Sequence, residues 1–163
     1  MADLTPLDEK LAEVLGLAQA AQTAADTVGT MEDADAFAKD LARMGEQAAE
    51  TERRTDALVD GLEGKKTAIR DMARETKTEA VEMMKTYLGD EEEALDGFEF
   101  LSMAEAGELS HWEIVEKISA AIQDQKACEL ARWAVTVQRE HINAVRQAYL
   151  ELAGHEAKEM AAA

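Results

Sequence analysis

The sequence predicts an all-α protein built as one domain. Three observations carry this expectation. The 163 residues are rich in Ala, Glu and Leu and include a single proline, a mix that favours long helices over sheet. Apolar residues recur at steps of three and four along five segments. Each segment but the last stops at a glycine or a short polar link. The length suffices to bury a real core, so residues 1–163 read as one unit whose end, 154–163, is expected to fray.

Thr5, Pro6 and Asp8 mark the start of the first helix, because a threonine N-cap, a first-turn proline and an early acid all suit that end. Its seam runs through Leu4, Leu7, Leu11, Val14, Ala18, Ala21, Ala25 and Val28 without an acid, and Gly29 ends it. Thr30 with Asp33 resembles a capping box for the second helix, whose stripe is Phe37, Leu41, Met44, Ala48, Thr55, Val59 and Leu62. A third helix spans about Thr67 to Leu88 with the stripe Ile69, Met72, Thr76, Ala80, Met83 and Tyr87, and Gly89 stops it. Asp90 and Glu93 form a further capping pair. Gly97 is expected to break the chain there, so the main fourth helix covers about Phe98–Ile122. The link Gln123–Lys126 is short, which makes the fourth and fifth helices antiparallel neighbours. The fifth helix turns Leu130, Trp133, Ala134, Val137, Ala144, Val145, Ala148 and Leu152 to one face, with His141 at its centre.

Seventeen basic residues stand against 35 acidic ones, a formal charge of −18. No basic stripe exists to displace counterions, which argues against nucleic acid as a partner, and the same charge disfavours anionic membranes. Cys128 is the only cysteine, consistent with a reducing cytoplasm. Met1–Pro6 lacks the basic-then-apolar pattern of a leader, and no stretch reaches the ~18 apolar residues of a membrane span. The expected location is cytoplasmic.

Chemistry concentrates in the fourth helix. Its stripe passes through Phe98, Leu101, Trp112, Val115, Ser119 and Ile122, and Glu105 and Glu108 fill the steps between Leu101 and Trp112. A carboxylate on an apolar face loses hydration and must find a partner or a proton. His111 follows Glu108 by three residues, completing Glu-x-x-His, the spacing of di-metal helical bundles. His141 faces the core of the fifth helix. Gln138 stands three residues before it, and Glu140 lies about 100° around the helix from it. Glu52 lies close to the stripe of the second helix. The candidate metal ligands are thus Glu52, Glu105, Glu108, His111, Glu140 and His141. Mixed carboxylate and imidazole donors suit iron, manganese or zinc over a soft metal. Met44, Met72, Met83 and Met84 read as core filler, and Trp112 and Trp133 as packing anchors.

Several local features resemble the ferritin-like superfamily, nearest to the bacterial YciE/YciF group of ferritin-like stress proteins. They are Glu50-Thr-Glu-Arg-Arg-Thr-Asp-Ala-Leu58, Gly64-Lys-Lys-Thr-Ala-Ile69, Glu108-Leu-Ser-His-Trp-Glu113 and Arg139-Glu-His141. The likeness covers roughly residues 40 to 150. It implies an antiparallel four-helix bundle with an additional helix in the crossover, and a di-iron or di-manganese carboxylate site with ferroxidase- or peroxide-linked chemistry. The chain departs from that pattern in three places. The first helix has no glutamate on its seam, the second has Gln47-Ala-Ala-Glu50, and the last has Gln138-Arg-Glu-His141. The site implied is therefore one reduced to a single metal, shared across a homodimer, or lost. The rival reading is a non-enzymatic helical interaction or dimerisation module in which Glu105 and Glu108 form a polar strip in an interface. A storage subunit that oligomerises around metal is a third.

Overall fold

In the computed structural model, which describes residues 3–163, five α-helices and one 3-10 turn account for nearly the whole chain. They are α1 (Pro6–Gly29), α2 (Ala38–Asp60), α3 (Lys66–Leu88), α4 (Ala94–Ala121) and α5 (Gln125–Ala162), with the turn at Ala34–Phe37. Met1 and Ala2, the start of the segment read for a leader, lie outside the described residues. Among those described, no helix is long and apolar enough to cross a membrane.

Thr5 is the N-cap, as expected, and with Asp8 it closes a capping box: its hydroxyl accepts from the Asp8 amide, and the Asp8 carboxylate accepts from the Thr5 amide. Burial opposes ionisation of Asp8, but Lys65 Nζ at 2.7 Å and the Thr5 bonds outweigh it and hold the carboxyl below its ordinary value. The capping box expected for the second helix does not form. Thr30 Oγ1 bonds back to the Thr27 carbonyl, and Asp33 sits in the left-handed region at φ 64° and makes no side-chain cap. Glu93, too, is an N-cap without a side-chain bond. Gly97 does not break α4. Instead it lets α1 come close, since a Cβ there would lie 2.6 Å from Met31 Sδ and 2.9 Å from Val28 Cγ1. The α5 helix continues through the stretch expected to fray, to Ala162.

Cross-helix contacts fix the directions. Gly29 faces Leu41 and Gly45 faces Ala25, so α1 and α2 are antiparallel. Val28 meets Gly97 and Glu13 meets His111, so α4 is antiparallel to α1. The pairs Glu105–His141 and Glu116–Arg132 make α5 antiparallel to α4. Gln47 with His141 and Arg54 over the Trp133 ring do the same for α2 and α5. These four helices close a ring in the order α1, α2, α5, α4. The remaining helix, α3, carries the chain back along the outside, parallel to α1, and packs mainly on it.

This arrangement explains where the α1 and α3 stripes differ from expectation. Because α1 touches α2, α3 and α4, it buries Ala12, Leu15, Gly16, Ala20 and Ala24 beyond the single expected seam. Because α3 is covered on one side only, Ile69, Ala73, Met84 and Leu88 are its buried residues, while Met83 and Tyr87 are 69% and 47% exposed.

Gly16 anchors the α1–α3 contact: a Cβ there would run into the Ala73 carbonyl and stand 2.7 Å from Thr76 Cβ. Backbone cannot yield as a flexible side chain can, so Gly16→Ala is expected to cost roughly 1–3 kcal/mol. Gly107 on α4 is its opposite, since a Cβ there meets nothing within 4 Å. Gly107→Ala removes unfolded-chain freedom without a clash and is expected to stabilise by about 0.5–1 kcal/mol. Urea unfolding of the two variants should shift the midpoint in opposite directions.

Candidate metal centre

The interior of the ring is layered. At one end Val28, Leu41, Met44, Phe98, Leu101, Val145 and Ala148 form an apolar cluster. At the other, Leu7, Leu11, Val14, Trp112, Val115, Ala131 and Ala134 form a second. Between them, in chain order on both α4 and α5, come Glu105 and Glu108 opposite Gln138 and His141. All four are between 1% and 3% exposed. Helix α2 adds Gln47. Helix α1 passes this level with Leu17, Ala18 and Ala20 and adds no charge.

Two hydrogen-bonded pairs make up the layer. Glu108 Oε2 accepts from Gln138 Nε2 at 3.0 Å. His141 Nδ1 lies 3.0 Å from Glu105 Oε2, and its Nε2 lies 2.7 Å from Gln47 Oε1. Both ring nitrogens face side-chain oxygens of neighbouring helices. The desolvated Glu105 carboxyl thus has a polar partner in the His141 ring. Glu108 has no cation. Burial, the nearby Glu105 charge and, in opposition, the Gln138 bond together push its carboxyl well above the ordinary value. Gln138 Oε1 is buried without a hydrogen-bond partner, an uncompensated cost in a layer otherwise matched donor to acceptor.

Of the six residues singled out from the sequence, the structure brings Glu105, Glu108 and His141 together. The other three stand elsewhere. Glu52 turns to α1, accepting from Gln19 Nε2 at 3.1 Å and Gln22 Nε2 at 2.6 Å. Glu140 is exposed. His111 is half-buried: its Nδ1 lies 2.8 Å from the Gly107 carbonyl and its Nε2 3.2 Å from Glu13 Oε2. The reason is angular. Each three-residue step falls about 60° short of a full turn, so His111 has drifted about 120° from Glu105, while Trp112 returns to the seam. Sequence reasoning treated Gln47 and Gln138 only as departures from a pattern. Their signal was position, since Gln138 continues the Ala131–Ala134 steps that lead to His141.

As the side chains stand, no three His, Cys, Asp or Glu groups among the described residues form a set able to hold a metal ion. The donors are turned to one another. Fold and site together define an all-helical protein with one buried layer of carboxylates, imidazole and amides. No family model, no curated protein and no solved structure matches the chain.

The raised carboxyl makes stability pH-dependent. Between the ordinary glutamate value of 4.5 and its raised folded value, Glu108 holds a proton in the native state that the unfolded chain releases. The native state therefore binds more protons in that window, and stability falls as pH rises through it. Urea unfolding in chelator at about pH 5 and about pH 8 should show the loss, and Glu108→Gln should flatten it.

Proposed function

We propose that this chain is a ferritin-like bundle whose central layer binds a single divalent metal ion. The connectivity supports the first part of the reading: two antiparallel hairpins, α1–α2 and α4–α5, joined by a helix that returns the chain along the outside. The observation that carries the second part is the buried layer itself. Two carboxylates from one helix, an imidazole and two amides from two others meet between apolar clusters, and one amide oxygen, Gln138 Oε1, has no partner.

The donor chemistry fits such an ion. Glu105, Glu108 and His141 would hold it, with Gln138 Oε1 and Gln47 Oε1 as neutral oxygens, a set suited to manganese, iron or zinc. Bound there, the ion would supply the positive charge that two buried carboxylates lack. Glu105 must first release His141, and the raised carboxyl of Glu108 must ionise. Affinity is therefore expected to rise with pH. A second ion would need a further carboxylate and imidazole, but Glu52 and His111 are engaged outside the layer, so the proposal stops at one.

Protein purified without chelator is expected to carry about one equivalent of metal and to rebind Mn(II), Fe(II) or Zn(II) after stripping. Glu105→Gln with Glu108→Gln keeps hydrogen-bonding shape and removes both charges. Affinity should fall by at least about 10- to 100-fold, the range known for mere supporting groups. Equal metal content in wild type and double variant, both helical by circular dichroism, overturns the proposal.

A further inference from the structure

Outside the ring, α1, α3 and α4 diverge beyond the Gly16 contact and leave a cavity of about 290 Å³. Small side chains create it: Ala20, Ala21 and Ala24 on α1 face Ala80 on α3, with Ala104 and Gly107 on α4, and the edge of Glu108 shows at its floor. Its rim is built from large apolar residues held in the open. Met83 and Met103 are 69% and 50% exposed, and Tyr87 leans on Phe100 at 5.7 Å between ring centres. Exposed apolar side chains gathered around a concavity mark a binding site, and methionines let such a wall adapt to its occupant.

The head end of the cavity is acidic. A second hollow of about 310 Å³ adjoins it, the two sharing Leu17 and His111, and the second adds Glu13, Glu75 and Glu79. Glu13 is paired with Lys10 at 2.6 Å. Among the described residues Glu75 and Glu79 enter no ion pair, and they sit one turn apart on α3, a like-charge spacing that costs helix stability. From Glu79 to Tyr87 the helix rises about 12 Å, the reach of a medium-length alkyl chain.

We infer that this paired cavity binds a small cationic amphiphile. Its protonated amine lies against Glu75 and Glu79, and its apolar body runs along the alanine floor between Met83, Tyr87, Phe100 and Met103. The chain's formal charge of −18 reinforces the choice of a cation over an anion.

The test uses full-length protein and the neutral dye N-phenyl-1-naphthylamine, displaced by octylammonium, octanol and octanoate below their micelle concentrations. Octylammonium is expected to displace the dye at about tenfold lower concentration than octanoate, a difference of about 1.4 kcal/mol. Glu75→Gln with Glu79→Gln, both exposed, should erase that preference and leave octanol unchanged. Gly107→Leu, which adds a side chain where the Cβ has open space, should weaken all three about tenfold or more. Four results overturn the inference: no dye binding by wild type, octanoate matching octylammonium, an undiminished preference in the double glutamate variant, or dye binding that falls as protein concentration rises while light scattering shows doubled mass. The last would assign the groove to a second copy of the chain. The glutamate variant probes the head group alone, so its outcome is decisive even where Gly107→Leu fails to fold.

Discussion

Two glutamates one turn apart on α4 point into the bundle, and everything at the centre of the molecule answers to that fact. Each is only 3% exposed to water, so each must be neutralised or paired within the protein. Glu105 is matched by His141, and His141 in turn by Gln47, which ties α4, α5 and α2 into one chain of contacts. Glu108 receives only a neutral amide, and burial beside Glu105 holds its carboxyl well above the ordinary value. The apolar clusters above and below exclude solvent from this layer and lower its dielectric. That strengthens the contacts that are made and raises the cost of the one left unmade, at Gln138.

The crossover helix shapes the other half of the molecule. A chain that must return from the end of α2 to the start of α4 has to run the length of the bundle, and α3 does so against α1. Contact is closest at Gly16, where backbone meets backbone, and looser beyond it, where alanines face alanines across open space. Thus α1 serves two interiors. Leu11, Val14 and Val28 pack into the ring, while Leu17, Ala21 and Ala24 line the outer cavity. The absence of a carboxylate from α1 in the central layer is in keeping with this double burial, since its alanines are what both neighbours need for close approach.

Much of the secondary structure was legible because local chemistry decided it. Thr5, Pro6 and Asp8 form the start signal that the residues promise, and Gly29 and Gly89 stop helices where expected. The failures have physical reasons. Gly97 reads as a breaker in isolation but is a contact point for Val28 and Met31. Thr30 and Asp33 have capping side chains, yet the turn between α1 and α2 directs them elsewhere. Met83 and Tyr87 lie on an apolar stripe that is covered at Ile69 but open at its far end, where Tyr87 meets the edge of α4 at Phe100. For Gly97 the deciding partners are remote in sequence.

The sequence by itself determined that the protein is helical, that α4 and α5 form a hairpin, and that Glu105, Glu108 and His141 face inward. These follow from composition and the 3.6-residue repeat, which act within a single helix. Only the tertiary structure decided that Gln47 and Gln138 complete the layer, that Glu52 and His111 are held by α1, and that α3 leaves an open groove. Those outcomes depend on which helices become neighbours and in what register, and that is fixed by close approaches such as Gly16 and Gly97 that no periodicity within one helix encodes.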